Sequence, residues 1–283
     1  MQVINEISKM KECIIQWKKQ GFSIGFVPTM GYLHEGHLSL VRAGQKNYKL
    51  VLSIFVNPMQ FGVNEDLAKY PRNLEKDTKL CEENGVDILF IPNEKDMYPS
   101  DFSSFVDINS SLTNSLCGTS RPGHFRGVCT ILTKLFNIIE PNIAYFGQKD
   151  AQQCAVVKQL VKDLNLNVKI EVCPIVRESD NLAKSSRNVY LNDSERKAAT
   201  ILSKAIFLGQ NLVLKGERNT KIIKNAMQKE LEKENLAKID YISLVDPDTM
   251  QEFDFIQNKI LGAIAVYIGK TRLIDNFLLR DLK

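Results

Sequence analysis

The sequence predicts an α/β protein in two parts: an N-terminal domain, residues 1–176, built on a parallel sheet, and a smaller α+β domain, residues 177–283, containing an antiparallel sheet. Three observations lead to it. Short continuous apolar runs alternate with amphipathic stretches through the first part, as expected of strands covered on both faces by crossover helices. Near residue 177 the pattern changes, and two helical stretches then precede three strand-like runs. At 283 residues and 44% hydrophobic content the chain can bury a full core, enough for one large domain or two modest ones.

In chain order, Ile7, Met10, Ile14 and Trp17 recur at helical spacing over residues 6–19. Residues 24–27 read as a buried strand. Pro28 is expected to end its ladder, and Gly31 to turn the chain toward a helix beginning near Gly36. LVLSIFV, residues 50–56, is a second buried strand, and it empties into the punctuated loop NPMQFGVNEDLAKYPR. A polar-faced helix over 73–84 and a strand over 86–91 complete a βαβαβ unit. That alternation argues for a Rossmann-like parallel sheet with right-handed crossovers. Residues 93–116 are irregular apart from a strand expected at 104–108. A glycine-flanked basic loop with Arg121, His124 and Arg126 then feeds a helix over 128–139. The strand at 142–146 runs into GQKDAQQ at another helix start, and residues 168–176 form the last strand of this sheet. In the second domain, helices are expected over 193–214 and 220–234. The runs IDYISLV, ILGAIAVYIG and TRLIDNFLL follow as strands with short turns.

Composition narrows the function classes. A net charge of +4 demands neither a nucleic-acid nor a membrane partner, so any basic site is local. Six scattered cysteines form no C-x-x-C pair and read as reduced, packed thiols. The first residues mix charged with apolar side chains and lack a signal-peptide core, and no run is long enough to span a bilayer, which points to a cytoplasmic protein.

The chemistry concentrates at strand ends. Two of the three histidines, His34 and His37, lie three apart at a helix start, where unpaired N–H groups and the positive dipole end favour phosphate. A lone histidine there is more often a cap; two of three in one four-residue string shift the balance. H-E-G-H lacks the four-residue spacing of a zinc-protease helix. After the next strand end comes Gln60, with Glu65 and Asp66 behind it. At 147–153, Lys149 is placed to meet phosphate oxygens, Asp150 to cap the helix or hold a metal, and Gln153 to share their side. The loop from Arg177 gathers Lys184, Ser185, Ser186 and Arg187, cationic and hydroxyl groups suited to polyphosphate, or a basic linker. Arg121, His124 and Arg126 could hold an anion or equally pair with carboxylates. Gly269, Lys270 and Thr271 imitate the end of a P-loop, but Ile264 stands where that motif needs glycine. Imidazoles, a lysine and an arginine around a triphosphate suggest attack at the α-phosphorus, with fixed donors stabilising the charge that develops.

PTMGYLHEGH, FVNPMQFG with ED and YPR after it, RPGHFRGV, FGQKDAQQ, VRESDNLAKSSRN and TRLIDN occur in that order over nearly the whole chain. The set resembles the pantothenate synthetase (pantoate–β-alanine ligase) family of the nucleotidyltransferase superfamily with the H-x-G-H motif. The resemblance implies ATP-dependent condensation of (R)-pantoate with β-alanine through a pantoyl adenylate, with pyrophosphate and AMP released. It implies that Met30, Gly31, Tyr32, Leu33, His34, Glu35, Gly36 and His37 cover ATP, with His37 in the role of proton donor. Gly147, Gln148, Lys149, Asp150, Val176, Lys184, Ser185, Ser186 and Arg187 would complete the ATP site. Gln60 and Gln153 would hold pantoate, Gln60 also lying near β-alanine. Catalysis would fall to His37, His34, Lys149 and Arg187. Mg²⁺, a homodimer and a C-terminal domain covering the substrate come with the family, and Asp150, Glu65 and Asp66 are the candidate metal ligands. Three positions depart from the family pattern: Tyr32 for a small residue, Asn181 for glycine and Lys184 for an apolar residue. Asn tolerates the left-handed conformation, so the turn at Asn181 is expected to survive.

Rival readings are another nucleotidyltransferase, a tRNA-synthetase fragment and a nucleotide-binding module without turnover. The neutral amides Gln60 and Gln153 suit a small polyol acid, and no basic appended domain offers an RNA surface.

Overall fold

A computed structural model describes residues 1–45, 48–63 and 65–282. By its internal packing the chain divides into two compact units. The first comprises Met1–Ile108, Arg121–Gln148 and Val156–Pro174; the second comprises Asn109–Ser120, Lys149–Ala155 and Ile175–Lys283.

The first unit is built on a six-stranded, wholly parallel sheet. Its strands are β1 (Gln2–Ile4), β2 (Ile24–Thr29), β3 (Lys49–Ile54), β4 (Ile88–Phe90), β5 (Ile143–Gly147) and β6 (Lys169–Cys173), in the order β1-β4-β3-β2-β5-β6. Leu50, Val51, Leu52, Ile88, Leu89 and Phe90 are all buried, as both-face burial of a parallel sheet requires. The helices are α1 (Ile7–Lys19), α2 (Glu35–Gly44), α3 (Leu74–Glu83), the short α4 (Glu94–Met97) and, after the second unit's α5 (Ser111–Asn114) and α6 (Cys117–Ser120), the long α7 (His124–Ile139).

Three expectations need correction here. β1 lies outside the expected strands, and with three residues it has no periodicity to read. Pro28 lies inside β2 and pairs in register with Ser53 of β3. It ends the ladder on one side only. The carbonyl of Ile24 accepts from Asn142 on the β5 side and that of Thr29 from Phe55 on the β3 side. Since successive residues of a parallel strand face opposite neighbours, the missing Pro28 N–H falls toward β5, where pairing stops at Phe26. Residues 104–108 form no strand; the Val106 N–H donates to Thr130 Oγ1 of α7, so a side chain replaces a ladder partner.

In the second unit a three-stranded antiparallel sheet, β7 (Ala237–Val245), β8 (Ile260–Ile268) and β9 (Thr271–Leu279), packs with helices α10 (Ile201–Leu214) and α11 (Thr220–Leu231). α8 (Ala151–Asp163) follows β5, and α9 (Asp193–Ala198) precedes α10, so the single helix expected over 193–214 is broken at Ala199 and Thr200. Gly269 and Lys270 form the tight β8–β9 turn, with Gly269 at φ 57°, which disposes of the P-loop likeness. The β7–β8 connection, residues 246–259, is long rather than short.

Candidate active site

In the first unit the turn after β2 is over-determined. Gly31 has φ 83°, and a Cβ there would stand 2.9 Å from Ile54 Cγ2, so no other residue fits without a shift. Tyr32 follows, also left-handed at φ 52°. Such a conformation persists in a non-glycine residue only when its surroundings hold it. Asp77 of α3 supplies that hold: 2% exposed, it accepts the Tyr32 N–H at Oδ2 and the Leu33 N–H at Oδ1, both at 2.7 Å. Burial pushes the Asp77 carboxyl above its ordinary value, while the two amide donors pull it back.

The turn delivers the histidines. His34 is the N-cap of α2: its Nδ1 accepts the Gly36 N–H at 3.1 Å, and its own N–H donates to His37 Nδ1 at 3.3 Å. The rings lie together, centroids 4.1 Å apart. Both Nδ1 atoms act as acceptors, so each neutral ring carries its proton on Nε2. This takes up part of the amide donation expected at the helix start. His34 takes the Gly36 amide, and the His37 amide donates to the His34 carbonyl, so the imidazole rings themselves stand at the start of α2. Glu35 pairs with Arg42.

Gln60 joins this turn. Its Nε2 donates to Met30 Sδ at 3.0 Å, and its Oε1 accepts from Asn57 Nδ2 at 3.1 Å. Asn57 in turn donates to the Gly127 carbonyl and accepts from Tyr98. The basic loop is resolved toward structure. Arg121 holds Glu65 with Nε at 2.8 Å and Nη2 at 2.6 Å, His124 Nδ1 donates to the Gln60 carbonyl, and Arg126 stacks on Phe105. Both Glu65 oxygens thus accept from the Arg121 guanidinium. Among the described residues no three His, Cys, Asp or Glu side chains gather as a metal-holding group. Gly147 and Gln148, at the carboxyl end of β5, complete this unit's share of the expected site.

The second unit carries the rest. Lys149 and Asp150 lie in a 3-10 turn, with Lys149 Nζ 3.5 Å from Asp150 Oδ2. Gln153 is half-buried on α8, whereas its neighbour Gln152 is 6% exposed and structural, holding Leu112, Ser115 and Cys117. The loop from Arg177 folds back through an Arg177–Ala183 bridge over a turn whose Asn181 has φ 71°, as its amide chemistry allows. The Lys184 N–H donates to the Val176 carbonyl, and Lys184 Nζ pairs with Glu178 at 2.8 Å. Ser185 Oγ accepts the Arg187 N–H and starts the short helical turn Ser186–Tyr190.

The profile of the Pantoate-beta-alanine ligase family matches residues 2–278. A curated pantothenate synthetase of Ruminiclostridium cellulolyticum is 57% identical over 277 residues, 98% of each chain. The chain belongs to the pantoate–β-alanine ligase family. Solved members share this ligase fold. The crystal structure of pantothenate synthetase from Thermus thermophilus matches with TM-score 0.93 at 40% identity, over 98% of this chain and 99% of that one. Pantoate-β-alanine ligase from Francisella tularensis, described as complexed with β-γ ATP and β-alanine, matches with TM-score 0.80 at 38% identity, over 98% and 97%. The chain is thus an enzyme of this ligase family. No helix among its described residues is long and apolar enough to cross a membrane.

Sequence reasoning missed Asp77 and Asn276. Asp77 sits on what reads as a polar helix face, and the signal that could have found it is a buried carboxylate opposite a turn that needs acceptors. Asn276, within TRLIDN, donates to the Lys149 carbonyl at 2.9 Å.

Proposed function

We propose that the enzyme activates (R)-pantoate with MgATP and joins the acyl group to β-alanine. In the first step a pantoate carboxylate oxygen attacks the α-phosphorus, the bond to the β-phosphate bridging oxygen breaks, and pyrophosphate leaves with the electron pair. In the second the β-alanine amine attacks the acyl carbon of the adenylate, AMP leaves, the amine gives up a proton and an amide remains. The observation that carries this reading is the histidine pair, both rings locked by Nδ1 acceptance and bearing their protons on Nε2. Such a pair donates hydrogen bonds to phosphate oxygens without having to move a proton, and a carboxylate nucleophile has none to lose. His37 and His34 accordingly stabilise transition-state charge, joined by Lys149 and Arg187.

In this reading Met30, Gly31, Tyr32, Leu33, Glu35 and Gly36 shape the nucleotide-facing turn. Gly147, Gln148, Asp150, Val176, Lys184, Ser185 and Ser186 complete the ATP contacts, Val176 and Lys184 through their paired main chains. Gln60 and Gln153 take the pantoate hydroxyl and carboxylate groups. Mg²⁺ would enter with the nucleotide and would offset the charge of its phosphates. Of the candidate protein ligands Asp150, Glu65 and Asp66, Glu65 is already paired with Arg121 and Asp150 lies beside Lys149. A cytoplasmic homodimer completes the reading on the family resemblance alone, and sedimentation would test the dimer.

The deciding experiment is exchange of labelled pyrophosphate into ATP with Mg²⁺, without β-alanine, in the presence and absence of pantoate. Pantoate-dependent exchange is the expected result. Exchange with no acid, or none from folded protein that binds ATP, would contradict the adenylate.

A further inference from the structure

TRLIDN is a motif of the family set that the chemistry above leaves without a role. Its last two residues, Asp275 and Asn276 of β9, are 2% and 3% exposed, and as neighbours on a strand they address opposite faces. Asp275 takes Arg177 in a two-point pair, Nη1 to Oδ2 at 2.7 Å and Nη2 to Oδ1 at 2.9 Å, and also accepts the Asn276 N–H at 2.8 Å. Arg177 is held further by the Asn181 carbonyl, to which it donates, and by the Phe207 ring beneath its guanidinium. It opens the loop that ends in Lys184, Ser185, Ser186 and Arg187. On the other side, Asn276 Nδ2 donates to the main-chain carbonyl of Lys149 at 2.9 Å.

A buried ion pair is weak evidence for stability, since packed apolar residues serve as well. What distinguishes this one is its targets. One dipeptide fixes two segments 98 and 127 residues away in sequence, and each segment carries a cation assigned to phosphate. The Lys149 carbonyl lies in a 3-10 turn, and the side-chain amide that donates to it fixes the direction of the peptide unit that follows the Lys149 Cα.

We infer that Asn276 is a positioning residue for adenylate formation, acting by orienting Lys149, with Asp275 and Arg177 anchoring it and the Lys184–Arg187 loop to the same strand. The inference rests on the reading of Lys149 as a phosphate-binding group.

A double-mutant cycle in the pantoate-dependent pyrophosphate exchange assay tests it, with Asn276→Ala, Lys149→Ala and the double variant, and enzyme raised until the slowest remains measurable. Asn276→Ala is expected to slow exchange roughly 10- to 100-fold, as misplacement of a catalytic group by about an ångström does, and to cost nothing more once Lys149→Ala is present. Multiplicative losses would overturn the inference and reduce Asn276 to a structural role. Unchanged exchange in Lys149→Ala would instead overturn the reading of Lys149 itself, and the inference with it. Should Asn276→Ala not fold, Asn276→Leu, which removes the donor and keeps much of the volume, runs the same cycle.

Discussion

The turn after β2 and the turn after β5 do similar work by opposite means. Both follow a buried parallel strand, and both present groups assigned to phosphate. The first is gripped by its N–H groups, which a buried carboxylate on α3 accepts at two points. The second is gripped by a carbonyl, to which a neutral amide on β9 donates once. Charge-assisted bonds are shorter and about twice as strong as neutral ones, and the first turn also contains two consecutive left-handed residues that would relax if released. The histidine turn is therefore the more strained and the more firmly held.

Asp77→Asn should have the largest effect of the substitutions that loosen a turn. The substitution sets an NH₂ group against one of two main-chain donors, leaving a buried N–H unsatisfied at about 1–3 kcal/mol. It should also lower pyrophosphate exchange by on the order of 100-fold. Urea unfolding and exchange rates check the two effects, and a loss smaller than that of Asn276→Ala would reverse the ranking of the turns.

The next effect lies in the backbone itself. Gly31→Ala places a Cβ 2.9 Å from Ile54 and 3.1 Å from Asp77 at φ 83°. It should cost about 2 kcal/mol. Asn181→Ala, at φ 71° in the second unit's turn, should cost roughly 1 kcal/mol. Equal costs in urea titration would mean that the histidine turn is no more constrained than the other.

This contrast marks what the sequence could disclose. The parallel sheet and the antiparallel strands were legible because apolar runs are local signals, whereas α7 begins at His124, four residues before the start its apolar periodicity suggested. The histidine pair was legible from two imidazoles in four residues. Asp77 and Asn276 were not, because each acts 45 or 127 positions away and reads locally as an ordinary polar residue of a helix or strand. Pro28 misled for a related reason: which neighbour its missing donor faces depends on the sheet order.

A smaller expectation concerns the thiols. Burial pushes Cys81 and Cys129 up to about 12. Both should resist alkylation in the native protein at pH 8 and react on unfolding. Folded values above the unfolded ones mean that these thiols' share of stability is whole at neutral pH and is lost as pH climbs from about 9 toward 12. Mass spectrometry after timed alkylation checks the first point, and alkaline titration of stability the second.

On the proposed reading His37 acts as a fixed Nε2–H donor to phosphate and transfers no proton during adenylation. Exchange rates for His37→Gln and His37→Ala separate donation from proton transfer, since glutamine can present an N–H near the Nε2 position but does not titrate. His37→Gln should stay within about 10-fold of the parent enzyme while His37→Ala falls by roughly 100- to 1,000-fold, the range for removing one such donor. Equal collapse of both variants would contradict it and assign His37 a charged or proton-transferring role.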